Sequence, residues 1–363
     1  MLNNKDYYLD SAAHIPMSKV AQKAYIDYQN SPAGHGHASS PSKIGREAAS
    51  ALEIARGKIA QLLGAESPSQ IIFTSTCTQA CEWALNIIFK KATEQNKIVK
   101  YSPFEHPAIK YYTETKVNIE KINLKKCIVN DFSGDFVICM QVQNEIGVIQ
   151  PIEKFGGYLL SDMCQSVGKI PIDLKNMNVN LATFAAHKFG GPASVGILYI
   201  KNIKDYKTFG QGSRYFNDRA GTPDVGGVVA TAAALQETLV QMPNKLIKMK
   251  EFKESLEKTI QSYGLSVIGI GENRVDNISL IHIPEVAFHV LQGLSQEKIY
   301  ASVGSACNSK HTGPSLTMQA IGIKAGANDL LRISSNGEYT SKDGEWIAEE
   351  IIKQWKYYKG KIK

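Results

Sequence analysis

Apolar residues recur along this chain with two different periods, and their alternation predicts its secondary structure. From Ser42 they return every three or four residues, as on one face of a helix, as far as Gly64, a residue type that favours helix ends. Short apolar runs bounded by polar or glycine-containing text predict buried strands at 71–73, 98–101, 136–142, 158–161, 181–185 and 196–200. Strands mixed with helical stretches indicate an α/β fold with a mostly parallel sheet.

The pattern changes near residue 240, after which the strands become shorter and the helices longer. The same reasoning predicts a strand at 277–283 and helices at 77–90, 225–240, 245–263, near 295–301 and at 344–358. No linker-like text marks a boundary between the two parts. We predict a large α/β domain at residues 15–240 and a small α+β domain formed by 1–14 and 241–363.

Composition narrows the classes of protein to which the chain belongs. Its 363 residues suit two domains, and 43% hydrophobic with 21% charged residues is ordinary for a globular protein. No apolar run reaches the ~18 residues that span a bilayer, and the N-terminus lacks the apolar segment of a signal peptide. We therefore expect a cytoplasmic protein that does not enter a membrane.

The formal charge of +7 comes partly from the basic stretch at 353–363. This stretch is either a solvated helix end or a surface for a partner, and the sequence leaves both open. An excess of this size does not predict nucleic-acid binding.

Six cysteines without a CxxC pair indicate free thiols rather than disulfides. Cys77 and Cys81 lie four residues apart but have no histidine or carboxylate companion, so we predict no metal site. Cys307 differs from the others because it stands among Gly, Ser, Asn and Lys residues, in text typical of a loop. An exposed cysteine near a cation such as Lys310 is a candidate nucleophile, and an incidental surface cysteine is the alternative.

Lys188 and Asp162 each follow a short apolar strand. A lysine at the end of a buried strand is poorly solvated, so its pKa should fall and its amine can form a Schiff base with an aldehyde. A carboxylate 26 residues upstream can pair with a protonated pyridine nitrogen, as pyridoxal phosphate (PLP) enzymes require. A lysine that reaches the surface and an aspartate that caps a helix are the alternatives.

Three further positions are candidates for ligand binding. The strand-to-helix step that contains Thr76 and Thr78 offers free N–H groups and hydroxyls to a phosphate, although such residues also serve as simple helix caps. Arg332 precedes a small polar turn, where its planar group can hold a carboxylate or form a structural ion pair. His106 follows a predicted strand, where an imidazole can stack on a flat ring.

Taken together and in order, these segments resemble the successive blocks of the cysteine desulfurases, class V members of the aminotransferase fold. The resembling blocks are YLDSAA, SPSKIGREAA, IIFTSTCTQA, FEHPAIK, QNEIGVIQPI, SDMCQSVGKIPIDL, AAHKFGGPASVGILYI, AGTPDV, GSACNS and LLRISS. The resemblance runs from about Tyr8 to Ser334. It implies a fold-type-I PLP-dependent transferase, with a seven-stranded sheet in the large domain and a long mobile loop around Cys307.

The resemblance also implies how the cofactor is held. Lys188 forms the Schiff base with pyridoxal 5'-phosphate. Asp162 pairs with the pyridine nitrogen, and Gln165 bonds the ring oxygen. His106 stacks on the ring and helps to move protons.

The phosphate has its own implied residues. Thr78, His187 and the backbone around Cys77 hold it. Thr222 reaches the phosphate of a neighbouring subunit, which implies a homodimer.

The implied reaction converts L-cysteine to L-alanine. Asn144 and Arg332 fix the substrate carboxylate. Cys307 attacks the substrate sulfur, becomes a persulfide and passes the sulfur to an acceptor protein. Iron–sulfur assembly, tRNA thiolation and DNA phosphorothioation are the candidate destinations.

This chain departs from the family pattern at several places. Ala185 stands where a serine is usual, so one phosphate hydroxyl is missing, and Thr76 or a water is its candidate replacement. The segment 151–162 is shorter than usual and predicts the loss of a helix. The loop at 211–218 lacks the sequence that is usual in the family, and the tail after the last helix is short. The lost helix and the short tail argue against docking to the usual iron–sulfur scaffold.

Two rival functions remain at this stage. The first is a selenocysteine lyase or another class V PLP enzyme, and Cys307 in its GSAC block argues against an aminotransferase. The second is a non-catalytic interaction protein on the same fold. That protein would be expected to lose Lys188 or Asp162, and the chain has both.

Overall fold

A seven-stranded sheet forms the centre of the computed structural model, which describes residues 6–206, 214–215, 219–304 and 315–361. The described strands are β1 (Tyr7–Tyr8), β2 (Ile71–Thr74), β3 (Val99–Tyr101), β4 (Ile119–Lys121), β5 (Leu124–Lys125), β6 (Ile128–Val129), β7 (Phe136–Ile138), β8 (Tyr158–Asp162), β9 (Leu181–Ala185), β10 (Gly196–Ile200), β11 (Arg214–Tyr215), β12 (Arg219–Ala220), β13 (Ser266–Val267), β14 (Ile278–His282), β15 (Ile299–Tyr300), β16 (Ser302–Val303) and β17 (Leu330–Ser334). The described α-helices are α1 (Lys19–Gln29), α2 (Lys43–Leu62), α3 (Cys77–Glu94), α4 (Pro107–Glu114), α5 (Val225–Ser262), α6 (Ala287–Gln296), α7 (Leu316–Ala320) and α8 (Ser341–Lys359).

The strands of the central sheet follow the order β2-β10-β9-β8-β7-β3-β4. Strands β4, β3, β7, β8 and β9 run parallel, whereas β10 is antiparallel to both β9 and β2. The predicted α/β class with a mostly parallel sheet is therefore confirmed. In β8 and β9, Asp162 lies opposite Thr183, so the carboxyl ends of these two strands reach the same edge of the sheet.

Helices cover both faces of this sheet, because its strands carry apolar side chains on both sides. On one face, Leu52 and Ile59 of α2 join a buried cluster with Leu235 of α5. On the other face, Trp83 and Leu85 of α3 are buried against strand residues. The sheet is thus the middle layer of three, and its strand ends are free to form a site.

Helix α5 is continuous, so the prediction of two helices at 225–240 and 245–263 is wrong. Pro243 lies inside it, although proline removes a helical hydrogen bond and crowds the preceding turn. The helix is buried on both sides of this point, at Leu235 against the central sheet and at Leu256 against the smaller sheet. Tertiary packing of this kind outweighs the local cost of a proline. The helix runs through residue 240 without a break, and the domain assignment stays a prediction.

A second, smaller sheet has four antiparallel strands in the order β13-β14-β17-β16. It packs with α6, α8 and the second half of α5 around buried residues such as Leu256, Ile281 and Ile351. The helix predicted near 295–301 is wrong. Helix α6 ends at Gln296, and Ile299 pairs with Tyr7 in a parallel strand that local sequence does not reveal.

The segment between Pro151 and β8 contains only the 3-10 turn Ile152–Lys154, as the shortened sequence predicts. In the parts of the chain that the structure describes, no helix has an apolar stretch long enough to cross a bilayer.

Candidate functional site

A cavity of about 310 Å³ opens at the carboxyl ends of the parallel strands. Open α/β sheets commonly bind ligands at this edge. The predicted site residues that line the cavity are Cys77, Thr78, His106, Asn144, Asp162, Gln165, His187, Lys188 and Arg332. Side chains that the sequence places up to 255 positions apart are therefore brought around one space.

Lys188 ends a 3-10 turn, Ala186–Lys188, that directly follows β9. Its Nζ donates hydrogen bonds to the backbone carbonyls of Ala12 and Ala13, at 2.7 Å each. The chain then turns at Gly190, whose φ of +83° is strained for other residues. The lysine is thereby held at the cavity wall with its amine pointing toward the N-terminal segment.

Asp162 is the last residue of β8 and is 6% exposed. Its Oδ1 accepts a hydrogen bond from the backbone N–H of Cys164 at 2.9 Å. Gln165 donates from Nε2 to the carbonyl of Ala12 at 2.8 Å. Its buried Oε1 has no hydrogen-bond partner among the described residues. Both side chains thus keep polar capacity toward the cavity.

His106 is the N-cap of α4, and its Nδ1 accepts from the N–H of Ala108 at 3.2 Å. This contact fixes the imidazole at the end of the loop after β3. The preceding Glu105 is buried and accepts from the backbone N–H of Met140 at 2.6 Å. Burial raises the pKa of Glu105 well above its usual range, and the nearby charge of Asp162 adds to the shift.

His187 lines the cavity beside Lys188 and stacks on His14, with 5.7 Å between ring centroids. Burial lowers the pKa of His187 to about 4, and the charge of Lys188 acts in the same direction. Its imidazole is therefore neutral at neutral pH. The buried Nδ1 has no hydrogen-bond partner within the described part of the chain.

The predicted phosphate cradle lies where β2 passes into α3. Thr76 caps the helix, because its Oγ1 accepts from the N–H of Gln79 at 3.2 Å. The first N–H groups of a helix have no partner within it and form the positive end of its dipole. Thr76, Thr78 and Ala185 all line the cavity, so the missing hydroxyl at Ala185 faces the same space as two threonines.

Arg332 lies in the middle of β17 and is 2% exposed. Its Nη2 contacts Asp10 Oδ1 at 2.7 Å, and its Nη1 donates to the carbonyl of Asn144 at 2.9 Å. The buried Nε has no hydrogen-bond partner among the residues described. The Nε donor of the guanidinium is therefore unsatisfied within this part of the protein.

Sequence reasoning missed the part that the N-terminal segment plays. Asp10 pairs with Arg332, the carbonyls of Ala12 and Ala13 accept from Lys188, and His14 stacks on His187. The block YLDSAA belonged to the family resemblance, but alanines have no side-chain chemistry. They act through backbone carbonyls, and because every residue has a carbonyl, the residue type does not predict this role.

The two remaining predicted site residues are Cys307 and Thr222. Cys307 lies outside the described residues, as does the loop at 211–213 and 216–218. Thr222 is described but does not line the cavity, and its Oγ1 lies 3.4 Å from His37 Nε2. Within the described residues, no cluster of His, Cys, Asp and Glu side chains could hold a metal ion.

The fold and the site define an α/β protein with a lysine and a carboxylate beside the ends of adjacent strands, and comparison with known proteins gives its family. The family described as aminotransferase class-V matches residues 7–343. This chain therefore belongs to the class-V aminotransferase family.

Named relatives cover nearly the whole chain. The cysteine desulfurase IscS of Dictyoglomus turgidum is 30% identical over 93% of this chain and 91% of its own length. That of Methanosarcina thermophila is 29% identical over 96% of this chain and 91% of its own length. A solved NifS-like protein superposes with a TM-score of 0.86 at 25% identity, covering 97% of this chain and 100% of that one. These findings confirm the predicted family, the fold class and a PLP-dependent enzyme.

Proposed function

We propose that this protein is a cysteine desulfurase that takes the sulfur of L-cysteine onto Cys307 and passes it to an acceptor protein. Relatives named cysteine desulfurase, at about 30% identity over most of the chain, support the activity. The observation that carries the proposal is the convergence of Lys188, Asp162 and Arg332 on one cavity. These residues supply an amine, a carboxylate and a carboxylate-binding cation, as a PLP enzyme acting on an amino acid requires.

The residues around the cavity fit PLP. The cavity volume lies at the lower end of the range for small-molecule sites. His187 Nδ1 and Gln165 Oε1 are buried polar atoms without partners among the described residues, and such atoms are costly unless a ligand or water satisfies them. The N-terminus of α3 suits the phosphate, and Lys188 suits the aldehyde.

When bound, PLP supplies an electron sink for bonds at the substrate's Cα. Lys188, positioned by the carbonyls of Ala12 and Ala13, would hold the cofactor and move protons. Asp162 would pair with the pyridine nitrogen. His106 would also bind the cofactor and help to move protons.

Substrate and sulfur are handled by the remaining residues. Arg332 binds the cysteine carboxylate through its available Nε, with Asn144 beside it. Cys307 attacks the substrate sulfur, the bond between that sulfur and Cβ breaks, and Cβ gains a proton as alanine forms. One cysteine and one enzyme thiol thus become one alanine and one persulfide.

Three variants test this proposal. Wild-type protein with PLP should be yellow and should release alanine from cysteine, and Lys188→Ala should lose both properties. Cys307→Ser should keep the colour but should form no alanine and no transferable sulfur. The buried Cys127→Ala is the matched control and should keep most of the activity. A colourless wild type with added PLP, or sulfur release by Cys307→Ser, would contradict the proposal, and the second result would favour a selenocysteine lyase.

A homodimer follows from the proposed role of Thr222 at the partner's phosphate. Mixing Thr222→Val with Lys188→Ala protein tests this role. A mixed dimer contains one site with both native residues only if Thr222 acts across the interface. Recovery of PLP binding and alanine formation on mixing is expected, and the absence of recovery would contradict the role.

The sulfur acceptor is the protein that removes the persulfide from Cys307. Between Pro151 and β8 the described segment has only a 3-10 turn in place of the family's helix, and this argues against docking to the usual iron–sulfur scaffold. Iron–sulfur assembly, tRNA thiolation and DNA phosphorothioation are distinguished by capturing the persulfide-loaded protein with its acceptor and following labelled sulfur into each product.

A further inference from the structure

Three cysteines meet in the wall of the cavity. Cys77 Sγ lies 3.1 Å from Cys164 Sγ and 4.0 Å from Cys81 Sγ. All three line the cavity, whereas Cys127 and Cys139 are buried and do not. None of these thiols has a part in the desulfurase reaction proposed above, although the backbone at Cys77 belongs to the phosphate cradle.

We propose that Cys77 and Cys164 are an oxidisable dithiol that a hydroperoxide closes to a disulfide. In this reaction an S–S bond forms and the O–O bond of hydrogen peroxide breaks. Each sulfur loses its proton and one electron, and the two oxygens leave as water. The sulfur atoms need to approach by about 1 Å to reach disulfide bonding distance, so closure requires only a small shift.

Cys164, rather than Cys81, is the partner of Cys77 for two reasons. The Cys81 sulfur is farther away and is buried beside Thr183, at 3.6 Å from its Oγ1. Cys77 and Cys164 are both partly exposed, and an oxidant can reach them through the cavity.

The high pKa values of the two thiols make formation of the disulfide slow but make the disulfide, once formed, stable. The hydrogen bonds with Cys164 and Cys81 and the burial of the thiol raise the pKa of Cys77. The hydrogen bond with Cys77 lowers the pKa of Cys164, but burial and the Asp162 charge outweigh it and raise this pKa to about 12. Neutral thiols react slowly with oxidants. Because the surroundings do not stabilise the thiolates, however, the reduced form is not favoured, and the disulfide resists reduction.

Closure would join two segments that the proposed function assigns to PLP. Cys164 donates its N–H to Asp162 at the end of β8, and Cys77 begins α3 at the phosphate cradle. PLP in the cavity would stand between the oxidant and the two thiols. The shielding rests on the proposed function, whereas formation of the disulfide does not.

Peptide mapping of the full-length protein tests the pair. Hydrogen peroxide is added with and without PLP, and remaining thiols are blocked before digestion with trypsin. Lys58 and Lys90 bound a peptide that contains both Cys77 and Cys81, whereas Cys164 lies in the peptide 155–169. The expected product links these two peptides, lacks two hydrogen masses and separates on reduction.

Single variants identify the sulfur atoms involved. Cys81→Ala should keep the cross-link, and Cys77→Ala, Cys164→Ala and Cys164→Ser should each lose it. Added PLP should slow its formation in the wild type. A cross-link that persists in Cys77→Ala, or no cross-link in wild type whose other thiols are oxidised, would overturn the pair. An unchanged rate with PLP bound would overturn the shielding alone, and because the readout is a peptide mass, failure of the desulfurase proposal is seen separately.

Discussion

The ion pair between Asp10 and Arg332 makes a prediction that joins stability to substrate binding. Replacing Asp10 by asparagine removes one charge and preserves the side-chain shape. Arg332 is 2% exposed, so its positive charge then remains in a poorly solvated place. The carbonyl of Asn144 still accepts from Nη1, but a carbonyl does not neutralise the charge.

The size of the effect follows from this burial. Removing one partner of a buried ion pair costs about 3–5 kcal/mol, because the other charge is left uncompensated. Asp10 is partly exposed, with 19% of its side chain accessible, and its Oδ2 lies 2.9 Å from the Oγ of Ser302. The amide oxygen of the variant can still accept from this hydroxyl. We therefore expect Asp10→Asn to lower the free energy of unfolding by about 2–3 kcal/mol.

A carboxylate ligand should repair part of this loss. L-Alanine, the expected product, brings a carboxylate to Arg332 and supplies the missing negative charge. A ligand at 100 times its Kd stabilises a protein by about 2.7 kcal/mol, and tighter binding raises the gain at a fixed concentration. Alanine should thus stabilise Asp10→Asn more than it stabilises the wild type.

Urea unfolding with and without alanine measures both effects. Asp27→Asn is the matched control, because Asp27 pairs with Lys23 at 2.6 Å on an exposed helix face. An exposed pair contributes about 0–1 kcal/mol, so this control should change little. The reasoning is refuted if Asp10→Asn is as stable as the control, or if alanine stabilises the wild type and the variant equally.

Three further predictions concern buried polar groups near the site. Burial lowers the pKa of Lys169 to about 7, against 10.5 for a free lysine, so between these values the unfolded chain binds a proton that the folded chain does not. The free energy of unfolding should therefore rise by about 1.4 kcal/mol per pH unit above pH 7. Lys169→Met should remove this rise, as measured by urea unfolding at several pH values. An equal dependence on pH in the variant would contradict the prediction. Thr317 donates to buried Glu145 at 2.6 Å, and a double-mutant cycle of Thr317→Val with Glu145→Met, which has no acceptor oxygen, should give a coupling of about 1 kcal/mol or more, whereas additivity would show that the contact contributes nothing. Because burial raises the pKa of Glu105, a neutral glutamine is a close substitute, and Glu105→Gln should leave stability nearly unchanged. Glu105→Ala leaves the Met140 N–H unpaired and should lower the free energy of unfolding by about 1–3 kcal/mol. Equal losses of stability in the two variants, measured by thermal unfolding, would argue for a charged Glu105.

Local sequence patterns predicted the strands that carry the site more accurately than the rest of the fold. Strands β9 and β10 have the predicted bounds, because each is a short, mainly apolar segment that is buried along its whole length. Lys188 and Asp162 were assigned to strand ends, and the parallel pairing of β8 with β9 brings those ends to one edge. A residue type that stands just after a buried strand is thus informative, because the topology of a parallel sheet is restricted.

The errors lie where distant contacts decide the structure. The sequence pattern predicted two helices at 225–240 and 245–263, but packing of both halves against two sheets keeps α5 continuous through Pro243. Ile299 was assigned to a helix, but it pairs with Tyr7 from the other end of the chain. Neither partner can be read from a window of neighbouring residues.

Distant contacts also explain why the sequence predicted which residues form the site but not how they are held in place. Arg332 was predicted to hold a carboxylate ligand or to form a structural ion pair, and its observed anionic partner is Asp10, 322 positions away. Asp10, Ala12, Ala13 and His14 form one short segment that contacts the predicted arginine, lysine and histidine and also receives the Gln165 hydrogen bond. The side chains proposed for the site are therefore positioned by a segment without reactive groups of its own, apart from Asp10 and His14. Its contribution is geometric, since backbone carbonyls fix the Lys188 amine and a carboxylate fixes the guanidinium before any ligand arrives.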